Sequence, residues 1–501
     1  MTVATYLNTT NRKRRAGVLL HPTSLPETLG NGDIGHQAYR FIELLNACGF
    51  KVWQMLPLGP TDDDKSPYQC LSSHAGNPLL ISLDWLQDKG WLDREKISSS
   101  VKPDDYRLSC LRQAAENFYR LDSDEWLAGI EEFSQQHAYW LQDYALFAAL
   151  KKRYMNKPWY TWPDVVRHRD PRGLAEARRE LEVEIKQTIF EQFVFFTQWQ
   201  EIRHYAKQYD VELFGDVPIF VAHDSADVWV HKENFLINSD DDMALVAGVP
   251  PDAFSETGQR WGTPLYDWEY MRSTDFDWWK NRFTTQLKLF DILRIDHFRG
   301  LQACWQIPQK EETAINGKWV EVPGQEMLAK LFEHFHALPL VAEDLGVITD
   351  EVIELKRTFN LPGMKVLQFA FDGNNNNPHL PHRHQYDDLV YTGTHDNDTT
   401  LGWLRDRGNY NKKYFDDYTG ISALSGKQIE EKSYWSMIRL AMSSVSFLCI
   451  LPMQDALMLD ASARMNTPGT VGNNWKWRFE WQQVKPEMIE KLAHLIALYQ
   501  R

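Results

Sequence analysis

The chain has 501 residues and a formal net charge of −15 at pH 7. This acidic balance argues against nucleic acid as a partner, because surfaces that bind nucleic acid need an excess of basic residues. No secretory signal is visible at the start, and no apolar run approaches the length of about 18 residues that a membrane span requires. We therefore expect a cytoplasmic enzyme with an uncharged substrate and no membrane partner.

Five cysteines lie far apart in the sequence and include no CxxC pair. This spacing favours reduced packing residues over a disulfide framework or a zinc site. No GxGxxG follows a predicted strand, and neither the GxxxxGK[ST] loop nor the GxSxG elbow occurs. A nucleotide cofactor and esterase chemistry therefore have no support in the sequence.

Eight short apolar runs recur along the chain, with helical patterns between them. Their nearly continuous hydrophobicity is typical of parallel strands that are buried on both faces. The runs occupy residues 16–22, 51–58, 213–221, 292–298, 338–344, 364–371, 389–396 and 447–455. We therefore predict an α/β fold in which residues 1–501 form a single (β/α)8 TIM barrel.

Two long intervals separate neighbouring predicted strands. Residues 85–195, between the second and third strands, are predicted to form a mostly helical insertion. Residues 222–285, between the third and fourth strands, are rich in Asp, Gly, Pro and aromatic residues, and we predict a loop-rich insertion. The chain after the eighth strand is too short for a C-terminal β-sandwich domain, so none is expected.

Asp296 lies near the end of the fourth predicted strand. Arg294 stands two residues before Asp296, with Ile295 between them, so on a strand the side chains of Arg294 and Asp296 point to the same side. An arginine in this position keeps a carboxylate ionised and oriented, which suits a nucleophile. A structural ion pair at the end of the strand explains the pattern equally well.

Glu343 lies near the end of the apolar run 338–344. Burying a carboxylate there costs free energy unless the group is paired or protonated, and burial raises the pKa of the group. A general acid that protonates a glycosidic leaving oxygen needs such a pKa. The alternative is an acidic pair at the start of a surface loop.

His395 and Asp396 end the seventh predicted strand. Together they can hydrogen-bond adjacent sugar hydroxyls, and Asp396 adds negative charge near an oxocarbenium-like transition state. A metal site is the alternative, but no further ligand stands at helical spacing, so no metal is predicted. Two converging carboxyl groups with a third acidic helper are what glycosidic bond chemistry requires.

Other local motifs favour a carbohydrate ligand. Asp216 ends the third predicted strand, and Tyr68 follows the second in a polar loop. The segment 254–266 contains Gln259, which can form hydrogen bonds, and Trp261, whose ring can stack on the apolar face of a pyranose. The high tryptophan content, 20 residues, fits such stacking but is also explained by core packing.

Together these motifs resemble glycoside hydrolase family 77, the 4-α-glucanotransferases of the α-amylase clan. The resemblance covers nearly the whole chain. The blocks that carry it are RRAGVLLHPTSLP (14–26), SPYQCLSSHAGNPLLISL (66–83), GDVPIFVAHDSADVW (215–229), PPDAFSETGQRWG (250–262), LRIDHFRG (293–300), VAEDLG (341–346), GTHDND (393–398) and RMNTPGTVGNNWKWR (464–478).

The resemblance implies a role for each carboxylate. Asp296 matches the nucleophile, Glu343 the general acid and base, and Asp396 the transition-state stabiliser. The groups expected around the sugar whose bond is broken are Asp216, Arg294, His297 and His395.

The resemblance also implies contacts with the rest of the substrate. Tyr68 matches a stacking tyrosine, and Gln259 and Trp261 match a loop that covers the acceptor side. Asp372 and Asn466 match further sugar-contact positions.

The implied reaction is a retaining transfer of α-1,4-glucan segments through a covalent glycosyl-enzyme, without a cofactor. Maltodextrins and fragments of starch or glycogen are the expected donors, and glucose or another maltodextrin is the acceptor. A monomer or a small homo-oligomer is expected. Two alternatives remain, a hydrolase of the same clan and a noncatalytic α-glucan-binding protein.

Overall fold

The computed structural model describes residues 13–26, 30–93, 102–121, 123–251, 255–421, 429–470 and 472–501. The strands in these ranges form two sheets. They are β1 (Arg15–Leu19), β2 (Val52–Gln54), β3 (Glu212–Val217), β4 (Leu245–Val249), β5 (Gln259–Pro264), β6 (Ile292–Ile295), β7 (Ala303–Pro308), β8 (Lys318–Glu321), β9 (Leu340–Ala342), β10 (Gly363–Val366), β11 (Asp388–Tyr391) and β12 (Leu448–Pro452).

The α-helices lie between and around these strands. They are α1 (His36–Cys48), α2 (Leu83–Asp88), α3 (Pro103–Leu121), α4 (Asp124–Gln136), α5 (Leu141–Arg153), α6 (Asp164–Arg167), α7 (Pro171–Glu180), α8 (Glu182–Gln208), α9 (Ala226–Val230), α10 (Trp268–Ser273), α11 (Asp277–Leu289), α12 (Gly324–His334), α13 (Asp350–Thr358), α14 (Thr400–Asp406), α15 (Asn409–Thr419), α16 (Ile429–Ser443), α17 (Met453–Ala456) and α18 (Pro486–Leu498).

Eight parallel strands form the central sheet, in the order β10-β11-β12-β1-β2-β3-β6-β9. The sheet closes on itself because the amide of Ala342, at the end of β9, donates to the carbonyl of Pro362, just before β10, at 2.9 Å. Each of the eight predicted apolar runs overlaps one of these strands. The predicted (β/α)8 barrel is therefore confirmed, and no β-sheet follows β12 in the described part of the chain.

The barrel interior is filled by large side chains from alternate positions of the strands. Leu19, Val52, Phe214, Ile292 and Leu389 belong to one buried cluster there. A larger apolar cluster lies between the strands and the surrounding helices. Both faces of the sheet are thus covered, which explains why the strands appear as continuous apolar runs rather than as alternating ones.

Local sequence sets where several helices begin and end. Asp170 caps the start of α7, where its carboxylate accepts from two backbone amides and Pro171 occupies the first helical position. Gly49 ends α1 in the left-handed conformation, with a φ of 87°. A side chain at that φ would be strained, so glycine allows the chain to turn directly into β2.

The interval 85–195 contains α3 to α7 and the first part of α8, all helical. The interval 222–285 contains the short helices α9 and α10, most of α11, and also β4 and β5. These two strands pair with β7 and β8 in a four-stranded antiparallel sheet, order β5-β4-β7-β8. The sequence analysis did not predict this second sheet. The division of the chain into insertions stays a prediction.

No helix in the described residues is long and apolar enough to cross a membrane.

Candidate active site

The three candidate carboxylates come after strands of the barrel and lie at the same edge of it. Asp296 comes directly after β6, Glu343 directly after β9, and Asp396 a few residues after β11. The amide of Asp296 donates to Val217 O at 3.0 Å, and the amide of Glu343 donates to Ile295 O at 3.1 Å. Each carboxylate therefore lies just beyond the strand ends, at the carboxyl edge where such barrels carry their reactive groups.

Arg294 connects two of the strands at this edge. Its Nε donates to Asp216 Oδ1 at 2.9 Å, and its Nη2 donates to Asp216 Oδ2 at 2.6 Å. The same Nη2 donates to Asp296 Oδ1 at 2.9 Å. Arg294 and Asp216 are 4% and 2% exposed, so this two-pronged pair is almost fully shielded from solvent. The Arg294–Asp216 pair fixes the position of the Asp296 carboxylate.

Tyr68 extends this network to the opposite side of the barrel mouth. Its hydroxyl donates to Asp216 Oδ2 at 2.7 Å and accepts from Arg294 Nη2 at 3.1 Å. The hydroxyl also lies 3.0 Å from His395 Nε2, and the two rings stack with centroids 5.4 Å apart. Burial lowers the pKa of His395, which keeps the ring neutral and able to hydrogen-bond.

Asp396 is held by the segment that follows β12. Asn466 Nδ2 donates to Asp396 Oδ1 at 2.6 Å. Arg464 Nη2 donates to the backbone oxygen of Asp396 at 2.7 Å, and Arg464 Nε donates to Asn466 O at 2.7 Å. His395 Nε2 lies 3.3 Å from Asp396 Oδ1. The carboxylate is thus oriented by groups from two distant parts of the chain.

A strained backbone position orients Glu343. His297 has a φ of 50°, in the left-handed region that side chains other than glycine rarely adopt. This conformation turns its amide toward Glu343, where it donates to Oε2 at 2.6 Å. Such strain is retained where the surrounding structure holds it and is common at functional sites. Burial lowers the pKa of the His297 ring to about 4, so the ring is neutral near pH 7.

The pKa values of Asp296 and Glu343 are both raised. Burial raises the pKa of Asp296 to about 7, against the charge of Arg294, while Asp216 and Asp396 add to the increase. Burial and the charge of Asp296 raise the pKa of Glu343 well above its usual value, against the effect of Arg294. Arg294 touches only Asp296 of the pair. We therefore assign the negative charge to Asp296 and the shared proton to Glu343.

Gln259 and Trp261 lie on β5 and reach the site from the second sheet. The Trp261 ring packs edge-on against the His297 ring, with centroids 4.9 Å apart. Its Nε1 donates to Gln259 Oε1 at 3.3 Å. The covering loop expected from the sequence is thus the β4–β5 hairpin. Residues 252–254 of that loop, including Phe254 of the predicted segment, lie outside the described residues.

Asp372 is placed differently from the other candidate residues. It is exposed, and its carboxylate accepts from the backbone amide of Asn374 at 2.9 Å within a turn. No contact in the described structure joins it to the network around Arg294. A role for Asp372 in sugar binding therefore stays a prediction.

Trp475 and Arg464 are site residues that the sequence analysis did not single out. Trp475 has a φ of 65°, and its ring lies 6.0 Å from that of Tyr68 and 5.9 Å from that of His395. Both residues belong to the block 464–478, whose density of Asn, Gly and Trp was the available signal. Among the described residues no three His, Cys, Asp or Glu side chains are grouped as metal ligands.

Comparison with known proteins decides the family. The sequence profile of the family described as 4-alpha-glucanotransferase matches residues 20–483. The chain belongs to this family. The family resemblance inferred from the eight sequence blocks is therefore confirmed, and the enzyme class of the chain is that of the 4-alpha-glucanotransferases.

Two similar proteins match the chain over almost their whole length. It is 45% identical to a 4-alpha-glucanotransferase from Synechocystis sp., with 98% of each protein covered. It is 44% identical to the Thermus thermophilus 4-alpha-glucanotransferase, with 97% of this chain and 99% of the relative covered. The structure of an amylomaltase from Streptococcus agalactiae in complex with acarbose has a TM-score of 0.92 and 36% identity, covering 98% of this chain and 100% of that one.

Proposed function

We propose that this chain transfers α-1,4-glucan segments from a donor maltodextrin to the 4-hydroxyl of glucose or another maltodextrin, with retention at the anomeric carbon. Membership of the 4-alpha-glucanotransferase family supports the reaction class. The observation that carries the mechanism is the unequal pair of Asp296 and Glu343: Arg294 donates a hydrogen bond to Asp296, whereas the half-buried Glu343 has no such partner among the described residues and its pKa is raised well above the usual value. Two carboxyl groups with separated roles are what a retaining mechanism needs.

In the first half of the reaction, Asp296 attacks the anomeric carbon while Glu343 gives its proton to the leaving glycosidic oxygen. A covalent glycosyl-enzyme forms on Asp296, and the shortened glucan leaves. In the second half, Glu343, now a base, takes the proton of an acceptor hydroxyl, whose oxygen displaces Asp296. Retention predicts a separation of about 5–5.5 Å between the two carboxyl groups.

The surrounding residues are proposed to bind the sugar and to exclude water. Asp396, His395 and Asn466 would hydrogen-bond the sugar held in the glycosyl-enzyme, and Tyr68 would stack on it. Trp261 and Gln259 would cover the acceptor side. Water competes at about 55 M, so transfer requires the intermediate to be shielded until a sugar acceptor arrives.

We propose a cytoplasmic location, maltodextrins and starch or glycogen fragments as substrates, and no need for a cofactor.

Incubation with maltotriose, followed by separation of the products, tests this function. Transfer predicts glucose together with a ladder of maltodextrins longer than maltotriose. Glucose and maltose without longer products would instead identify a hydrolase of the same clan. Unchanged maltotriose, with the sugar still bound, would identify a noncatalytic α-glucan-binding protein.

A further inference from the structure

The barrel closes between β9 and β10 without a regular ladder. The strand order of the described sheet begins with β10 and ends with β9. In a regular parallel pair, the amides of β10 that face β9 would donate to backbone oxygens of β9. The amide of Met364 donates instead to Oδ1 of Asp344, at 2.6 Å. A side chain therefore replaces backbone pairing at this place, which we call the β9–β10 seam (residues 342–344 against residues 362–366).

The carboxylate of Asp344 is also part of a shielded ion pair. Lys356, in the last turn of α13, donates to Oδ2 of Asp344, and the two side chains are 17% and 6% exposed. The pair lies directly on the backbone of β10, because a Cβ at Gly363 would clash with Asp344 Oδ2 and with Lys356 Nζ. Charge-assisted hydrogen bonds of this kind are strong and set a defined geometry. The pair thus fixes the main chain from which Asp344 projects.

Glu343 is the residue directly before Asp344, and its own hydrogen bonds lie toward β6. Its amide donates to Ile295 O at 3.1 Å, and its backbone oxygen accepts from the amide of Phe298 at 3.2 Å. Its Oε2 accepts from the amide of His297 at 2.6 Å. Within the described residues, no hydrogen bond of Glu343 reaches β10. The main chain at Glu343 is therefore fixed on one side by its own bonds and on the other side by the bonds of Asp344.

We propose that Asp344 and Lys356 are positioning residues for Glu343, which fix the direction of its carboxyl group toward the glycosidic oxygen. This inference rests on the proposed function, in which Glu343 is the general acid and base. The pair acts through the backbone of Glu343 rather than on the sugar. Such an effect is large enough to control the reaction, because a displacement of about 1 Å can lower a rate about 100-fold.

An ion pair that only stabilises the fold would have a different signature. Its loss would lower the rate with every donor alike, whereas a displaced general acid affects only those donors that need a proton. Maltotriose needs one, because its leaving group is a sugar oxygen. α-Maltosyl fluoride carries the same maltosyl unit, but its fluoride leaves without a proton. Comparison of the two donors therefore separates positioning from stability.

The Asp344→Asn variant tests the proposal in single turnovers with enzyme in excess. It keeps an oxygen for the amide of Met364, but the NH2 group that replaces Oδ2 cannot accept from Lys356. Release of glucose from maltotriose should be about 100-fold slower than in the wild type. Release of fluoride from α-maltosyl fluoride should stay close to the wild-type rate.

Two further variants disturb the same pair in other ways. Lys356→Met removes the partner of Asp344, and Gly363→Ala displaces the pair without changing its charge. Both should show the same selective loss with maltotriose.

The matched control is Lys365→Met. Lys365 lies on β10 and forms an ion pair of similar burial with Asp388 of β11, at 3.6 Å and with 15% and 8% exposure. The substitution is the same as in Lys356→Met, but the partner is not next to Glu343 in the chain. Lys365→Met should lower the free energy of unfolding in urea and leave the ratio of the two release rates unchanged.

Azide tests the second half of the reaction, because it attacks the glycosyl-enzyme without a general base. It displaces Asp296 and forms maltosyl azide. Azide should accelerate the turnover of α-maltosyl fluoride by Asp344→Asn and have little effect on the wild type or on Lys365→Met.

Equal losses with both donors in Asp344→Asn and Lys356→Met, or no loss with either donor, would overturn the proposal. Glu343→Gln supplies the reference, since it should show the same selectivity for donors in a stronger form. If Glu343→Gln slowed both donors equally, the proposed role of Glu343 would fail, and the positioning role would fail with it. Failure of the anchoring alone would look different, because Glu343→Gln would then be selective and Asp344→Asn would not.

Discussion

The two sides of the candidate active site are built in opposite ways. Around Arg294, side chains from separate barrel strands and their loops form a continuous set of hydrogen bonds, and Asp216 at its centre is 2% exposed. On the other side, Gln259 and Trp261 belong to a hairpin of a second sheet. Among the described contacts, the Trp261 ring meets His297 edge-on and forms no hydrogen bond to the carboxylates.

This difference separates bond cleavage from acceptor choice. Cleavage needs carboxylates held in a fixed geometry, and a buried network of charge-assisted hydrogen bonds provides that. Acceptor choice needs a cover that admits a sugar and excludes water, which favours a hairpin that can separate from the barrel mouth. Damage to the network should therefore abolish the reaction, whereas damage to the hairpin should redirect it.

The largest effect is expected for Asp296→Asn. The amide cannot attack the anomeric carbon, so kcat with maltotriose should fall about 10⁴-fold or more. The measurement is release of glucose under saturating substrate. Asp105→Asn, an exposed position on α3, is the control and should leave kcat unchanged. Retention of a tenth of the activity by Asp296→Asn would remove Asp296 from the role of nucleophile.

Arg294→Met should have the next largest effect. It should lower the free energy of unfolding as well as the rate of the reaction. It leaves Asp216 buried without its partner, which costs about 3–5 kcal/mol in the free energy of unfolding. Urea denaturation followed by tryptophan fluorescence measures this. Arg260→Met changes a hairpin arginine that contacts Gln309 instead of the carboxylates and should cost far less. Similar losses for the two variants would contradict the contrast between the two sides.

Asp216→Asn should shift the pH dependence of kcat/KM. The charge of Asp216 raises the pKa of both Asp296 and Glu343. Its removal lowers these pKa values, so the pair loses its last proton at lower pH. The basic limb of the profile should therefore move down by about one pH unit. Gln259→Ala, on the hairpin, should leave the limb in place. A limb that stays or moves upward in Asp216→Asn would refute the assignment of the shared proton.

Trp261→Ala should have the smallest effect on rate and the clearest effect on products. Cleavage should stay within about tenfold of wild type, since the network is intact. The ratio of hydrolysis to transfer should rise severalfold, because water reaches the glycosyl-enzyme more easily. Product analysis from maltotriose gives the ratio. Arg260→Ala, one residue away on the same strand, is the control, and an unchanged ratio in Trp261→Ala would exclude its shielding role.

Much of the barrel could be predicted because its signal is local. A strand buried on both faces is a short apolar run, and each of the eight runs overlaps a strand of the barrel. The second sheet carried no such signal. In β4, Val246 pairs with Ile307 of β7, which lies far along the chain. A five-residue strand that contains a glycine has little local signal and depends on such a distant partner.

The sequence by itself determined the barrel, the family and the positions of Asp296, Glu343 and Asp396 at strand ends, since each depends on residues that are near one another in the chain. Only the tertiary structure decided how those carboxylates are held. Asp216 lies 78 residues before Arg294, and Asn466 lies 70 residues after Asp396. Hydrogen bonds over such separations depend on how strands are arranged around the barrel, and the pattern of a single segment does not contain that information.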